Sequence, residues 1–318
     1  MEDVAIIGVG IHPFGRFGDK TGIDMGADAI RAACKDAGIQ WSDVQFAVGG
    51  SFEVDNPDAV VGRVGMTGIP FMDVYNGCAT AGTALDTAAD AIRYGKHDIT
   101  VAVGMDKHEP GAFTSDPSYY GAPPWYGDIG HFLTTKFFAM KINRYMHDHG
   151  ISHETLARVV NKNLRNGIAN PNAFRRKEMP VEQILEGRML NYPLTQFMFC
   201  SPDEGAAAAV LCRADKAHEY TSTPIYLKAT AVRTRSFGAY EVHSSWSAIE
   251  EEDPTTVRAS QAAYEMAGIG PEDVDIVQLQ DTDAGAEIYH MAENGFCAHG
   301  EQERMLAEGE TEIDGRLP

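Results

Sequence analysis

A helix-sized run of alanines ending Ala-Gly-Ile occurs twice in this chain, and the two occurrences agree over a full helix and the turn behind it. Ala29, Ala32, Ala33, Ala37, Gly38, Ile39, Asp43 and Val44 recur as Ala259, Ala262, Ala263, Ala267, Gly268, Ile269, Asp273 and Val274, at a constant spacing of about 230 positions. A helix, an acidic turn and a following strand form one supersecondary unit. Its repetition predicts two copies of one α/β half, joined near residues 214–223. The alternative is a common helix-to-strand connection that arose twice.

The rest of the chain fits an α/β reading. Short apolar runs at 4–9, 46–48, 99–103 and 206–211 read as strands buried on both faces. Between them, residues 25–37 and 79–94 place alanines at helical spacing, lean enough to pack closely. From Glu109 to about residue 200 the alternation breaks. That stretch is rich in Pro, Tyr, Phe and Asn, and becomes helical around 135–147 and 154–166. We read 1–108 with 201–220 as the N-terminal half, 109–200 as an inserted loop domain, and 221–318 as an incomplete C-terminal half.

Charge and cysteine usage narrow the function. A formal charge of −20 opposes condensation onto nucleic acid or anionic lipid. The 5 cysteines are odd in number and lack zinc or disulfide spacing, so a reducing cytoplasm is expected. The N-terminus runs straight into Val4-Ala5-Ile6-Ile7 without a basic flank, and no apolar run reaches spanning length. A protein neither secreted nor membrane-embedded is expected.

Cys78 is a candidate nucleophile. It ends a predicted strand and begins a long helix, where backbone N–H groups and the macrodipole stabilise a thiolate. Ala79, Ala81 and Gly82 are small enough for a substrate carbonyl to approach those amides. The bland reading is a buried structural cysteine. Gly8-Val9-Gly10 invites a dinucleotide reading, but Pro13 stands where a third glycine belongs. His147, His149 and His153 are split by a glycine, so a solvated turn is expected and no metal. The basic run Arg175-Arg176-Lys177, with Lys162 and Arg165, is either a solvated face or a contact for a small anion.

Several stretches together resemble the thiolase superfamily, in its sterol-carrier-protein-x branch, often called nonspecific lipid-transfer proteins. They are Val4-Ala5-Ile6-Ile7-Gly8-Val9-Gly10 with Pro13-Phe14-Gly15, Asn161-Lys162-Asn163 with Asn170-Pro171, and Tyr192-Pro193-Leu194-Thr195 leading to Cys200-Ser201-Pro202-Asp203-Glu204-Gly205. Most specific is Tyr75-Asn76-Gly77-Cys78-Ala79-Thr80-Ala81-Gly82, similar to the family's nucleophile turn. The resemblance implies a five-layer αβαβα fold of two duplicated halves with an inserted loop domain, the second half truncated. It implies Cys78 as nucleophile in making or breaking a carbon–carbon bond beside a thioester, in lipid or sterol metabolism. Coenzyme A or acyl-CoA is then substrate, its phosphates met by Lys162, Arg165, Arg175, Arg176 and Lys177, with no resident cofactor. A homodimer through the strand before Cys78 is implied, and a small zinc-containing partner protein is a further possibility.

Two departures stand out. Gln280 occupies the place of the family's histidine at the end of an expected strand over 274–279, and can donate one hydrogen bond to an oxyanion but cannot shuttle a proton. The family's Gly-His-Pro motif and second cysteine would follow Pro318. Relatives lacking that set use tyrosines for retro-aldol cleavage, which directs attention to Tyr240, Tyr289 and His243. A noncatalytic acyl-CoA or lipid-binding scaffold is the other alternative.

Overall fold

The apolar runs pair into a mixed sheet that the alanine-rich helices cover. A computed structural model of the chain describes residues 3–51, 56, 58–236 and 253–318, the side chains of Asp58 and Tyr120 excepted. In chain order come β1 (Val4–Gly15), α1 (Gly22–Asp36), β2 (Phe46–Gly50), α2 (Asp58–Val64), β3 (Phe71–Asp73), α3 (Thr80–Arg93) and β4 (Ile99–Lys107). Then follow α4 (Trp125–Asp128), α5 (Thr134–His149), α6 (His153–Ala169), α7 (Val181–Leu185), β5 (Met189–Asn191) and β6 (Leu194–Thr195). The chain ends with β7 (Glu204–Arg213), β8 (Ile225–Leu227), α8 (Thr255–Ala267), α9 (Ala284–Glu293) and α10 (Gln302–Ala307). One compact unit comprises Met1–Glu109, Pro171–Phe174 and Asp203–Val232, and a second comprises Pro110–Asn170, Arg175–Pro202 and Arg233–Pro318.

The first unit is built on a sheet of strand order β3-β2-β4-β7-β1-β8. β2 runs parallel to β3 and β4, while β7 is antiparallel to β4 and β1. Both faces are covered, which is why these strands read as continuous apolar runs. On one face Met25, Ala29, Ile30 and Ala33 of α1 pack on Ile7, Val101, Val103 and Val210. On the other, Ala84, Ala88 and Ile92 of α3 meet Phe46, Val48, Ala102 and Leu211. The pair Gly8 and Gly10 has a packing role: a Cβ on Gly10 would stand 2.1 Å from the Ala29 carbonyl oxygen, and one on Gly8 2.4 Å from that of Ala33. These glycines let α1 lie directly on β1, which accounts for them without a nucleotide.

In the second unit α5, α6 and α9 close around Ile142, Leu156, Val160, Leu194, Met198 and Ile288. The extended segments around Phe199 and Asp283 pair, with the Cys200 N–H donating to Thr282 O at 3.0 Å and the Ala284 N–H to Met198 O at 2.9 Å.

The internal repeat is visible at the level of single bonds. Gly38 and Gly268 end their helices in the left-handed region, at φ 69° and 70°. The Gln40 N–H donates to Asp43 Oδ2 at 2.8 Å, and the Gly270 N–H to Asp273 Oδ2 at 2.9 Å. Beyond the turn the copies diverge. Residues 46–50 form β2, whereas 274–279 form no strand, which corrects the expectation from sequence. β2 is paired on both edges, while among the described residues the Val277 N–H donates to Pro318 O at 3.0 Å with no ladder around it. α8 correspondingly has no buried residue.

Candidate active site

Cys78 lies in the first unit, in the turn between β3 and α3, and is exposed. The turn is fixed from several directions. Gly77 has φ 54°, a left-handed conformation that a side chain would strain. Thr80 Oγ1 donates to Gly77 O at 2.6 Å and accepts from the Asn76 N–H at 2.9 Å. The Asn76 side-chain amide donates to Thr83 Oγ1 at 3.0 Å. Among the described residues no side chain caps α3, so the positive end of the helix faces the cysteine. Ala79, Ala81 and Gly82 are exposed beside it, leaving open the approach of a carbonyl oxygen to the first-turn amides. Sequence reasoning located Cys78 but missed Asn76 and Thr80 as its anchors, although both belong to the quoted motif.

The other thiols differ. Burial pushes Cys34, Cys212 and Cys297 up to about 11, so they stay protonated at neutral pH. Cys200 is exposed in the second unit.

The remaining predicted residues all lie in the second unit. Gln280 is exposed, in the irregular segment before α9. Lys162 is buried, and its ammonium is 2.5 Å from Glu287 Oε1, while the Asn163 side-chain amide donates to Oε2 at 3.0 Å. Arg165 pairs with Glu312 at 2.6 Å. Arg175 donates to Ser201 Oγ and, at 3.5 Å, to Phe199 O. Arg176 and Lys177 are exposed, Arg176 donating to Ile168 O at 3.2 Å. Lys162 and Arg165, both expected at a coenzyme A site, thus have carboxylate partners within the chain. Tyr289 is buried beneath Lys141, whose Nζ stands 3.8 Å from the ring centre. Tyr240 and His243 lie outside the described residues. His153 Nε2 donates to Pro193 O at 2.6 Å. A cavity of about 170 Å³ is lined by Lys162, Asn166, Gln278, Glu287 and Thr311 among others.

Asp283, three residues beyond Gln280, caps α9 from a buried position: Oδ1 accepts from the Gly285 N–H at 2.8 Å, and among the described residues Oδ2 has no hydrogen-bond partner. Burial raises its carboxyl from the ordinary 3.8 to about 7. Between these values the unfolded chain has already released the proton that the folded one keeps, so this group removes stability as pH rises from about 4 to 7, by up to about 1.4 kcal/mol per pH unit. Asp283→Asn keeps the cap and cannot ionise. Its urea midpoint should exceed the parent's at pH 8 and converge with it near pH 4; a pH-independent difference would show that the carboxyl does not titrate in this way.

Comparison with known proteins agrees with the geometry. Residues 4–188 match the thiolase N-terminal domain, and 240–318 the thiolase C-terminal domain-like family. An acetyl-CoA acetyltransferase of Methanothermobacter thermautotrophicus is 33% identical over 331 residues, covering 100% of this chain and 84% of that protein. Sterol carrier protein 2 of Gallus gallus is 26% identical over 98% of this chain, which spans 60% of its length. A solved structure of the Ltp2-ChsH2(DUF35) aldolase superposes with a TM-score of 0.88 at 25% identity, covering 99% of this chain and 83% of that one. With its α/β fold and its cysteine turn at the head of α3, the chain belongs to the thiolase superfamily, in the branch of the sterol-carrier-protein-x thiolases.

Proposed function

We propose that this chain is a thiolase-type acyl-CoA enzyme that makes or cleaves a carbon–carbon bond beside a thioester, in lipid or sterol metabolism. The observation that carries the reading is an exposed thiol at the uncapped head of α3, in a turn held by Asn76, Gly77 and Thr80. A thiolate there attacks the thioester carbonyl, the acyl group passes to sulfur, and the first-turn amides receive the developing oxyanion. Gln280 is proposed as a further oxyanion donor, and the exposed Arg176 and Lys177, beside Arg175, as contacts for coenzyme A phosphates. On incubation with acetyl-CoA, intact mass should rise by one acetyl group, mapped to the Cys78 peptide. An unlabelled Cys78 would remove the covalent mechanism.

Retro-aldol cleavage of a sterol-derived CoA thioester is the second reading. It is favoured by the likeness to a structure described as an aldolase, and by Gln280 in place of a protonatable group. That reaction needs no acyl-enzyme, so turnover without label on Cys78 would select it, and absence of both would leave a noncatalytic lipid-binding scaffold. A small partner protein belongs to the proposal on the same likeness, the aldolase's description naming a DUF35 component. We also propose a homodimer through β3, an edge strand of the sheet beside which Met72 and Tyr75 are exposed. Light scattering at micromolar concentration should give twice the 34.6 kDa chain mass; the monomer mass would exclude it.

A further inference from the structure

The cavity of about 170 Å³ lies wholly within the second unit, among α6, α9, the irregular segment before α9 and the residues that follow α10. An enclosed space of roughly 150 Å³ holds a benzene molecule, so the scale is that of a small organic ligand. Leu279, Met291 and Phe296 give the cavity an apolar wall. Asn166 and Gln278 contribute amides and Thr311 a hydroxyl. Thr311 is 6% exposed, and among the described residues its Oγ1 has no hydrogen-bond partner. A buried hydroxyl in that position is normally completed by a water or a ligand.

The charges of the lining select the sign of such a ligand. Lys162, Asp281 and Glu287 are its charged residues. Lys162 and Glu287 neutralise one another at 2.5 Å, and the Asn163 amide donates to the second Glu287 oxygen at 3.0 Å. Asp281 has no counterion bonded to it among the described residues. Burial, and after it the charge of Glu287, hold its carboxyl above the ordinary range, with Lys162 opposing. The cavity therefore carries one negative charge in excess when Asp281 is ionised. A cation entering it meets that charge directly. An anion would face Asp281 unscreened and could reach Lys162 only by breaking a buried ion pair. A bare metal ion fits poorly, since among the described residues no three His, Cys, Asp or Glu side chains are grouped to hold one.

We propose that this cavity binds a small primary ammonium ion, whose N–H groups donate to Asp281 while its second polar group bonds to Thr311 Oγ1. The amides of Asn166 and Gln278 offer both donors and acceptors to the same ligand. The Lys162–Glu287 pair stays closed and forms one side of the site. The proposal uses no residue of the Cys78 turn and does not depend on acyl transfer.

Ethanolamine is the probe, with ethylene glycol and glycolate as neutral and anionic counterparts of similar size. Calorimetric titration of the whole chain at about pH 8, where the amine is charged, should show saturable binding of ethanolamine with a Kd between about 0.1 and 10 mM, as so small a ligand allows. Neither counterpart should saturate. Asp281→Asn keeps the shape and removes the charge, and should weaken binding at least about tenfold; Thr311→Val should weaken it about fivefold. Absence of saturable ethanolamine binding would overturn the proposal, as would equal affinity in the parent and Asp281→Asn. Should Asp281→Asn fail to fold, Thr311→Val and glycolate decide. Affinity unchanged in Thr311→Val, or glycolate bound as tightly as ethanolamine, refutes the site.

Discussion

Lys162→Met should lower the stability of the protein by roughly 3–5 kcal/mol, because it leaves Glu287 charged and buried with Asn163 alone as a side-chain donor. The pair joins α6 to α9 inside the second unit, so the loss should appear as a large fall in the urea midpoint. Lys162→Met combined with Glu287→Leu should recover most of it, since removing both charges removes the desolvation problem along with the attraction. The role expected from sequence, a contact for coenzyme A, gives the opposite pattern: unchanged stability and weaker binding. Calorimetry with coenzyme A beside the denaturation curve distinguishes the two, and a stable Lys162→Met protein would refute the structural role.

Cys78→Ser should abolish the acyl-enzyme and reduce transfer by at least about 10³-fold, as removal of a covalent nucleophile does elsewhere. Serine keeps the size of the side chain but has no accessible anion at neutral pH, and a helix N-terminus cannot supply one. Since Cys78 is exposed, the unfolding free energy should change by less than about 0.5 kcal/mol. Carbon–carbon cleavage retained at the parent's level, measured as a shorter acyl-CoA with its thioester intact, would favour the retro-aldol reading.

What was legible in the sequence is what neighbouring residues decide. The strands at β1, β2, β4 and β7 follow from runs of Val, Ile and Ala, and α1, α3, α5 and α6 from helical spacing, because local pattern and burial agree there. The turn at Cys78 was legible for the same reason: Asn76, Gly77 and Thr80 bind one another within a few residues. Contacts across the chain were not. Lys162 looked like a surface cation, because the carboxylate that claims it lies 125 residues away. The segment 274–279 looked like a strand, because its copy at 46–50 is one. A strand, however, is a property of its neighbours, whereas the glycine cap and acidic turn before it need none and reappear intact. Asn166, Asp281 and Thr311 are apart in sequence, and the fold of the second unit brings them to one cavity.

The placement of the reactive sulfur is set in part by two missing methyl groups. With α3 seated on Gly50 and Gly104, an alanine at Gly50 would meet Thr80 Cγ2 and the Val74 carbonyl oxygen, both at 2.2 Å, while one at Gly104 would press on Ala81. Either would lift the head of the helix and carry Cys78 with it, by a displacement small for the fold and large for a bond-forming distance. In a saturation library these two positions would therefore score like parts of the catalytic apparatus while contributing no functional group. Tolerance to substitution here maps clearance as well as chemistry.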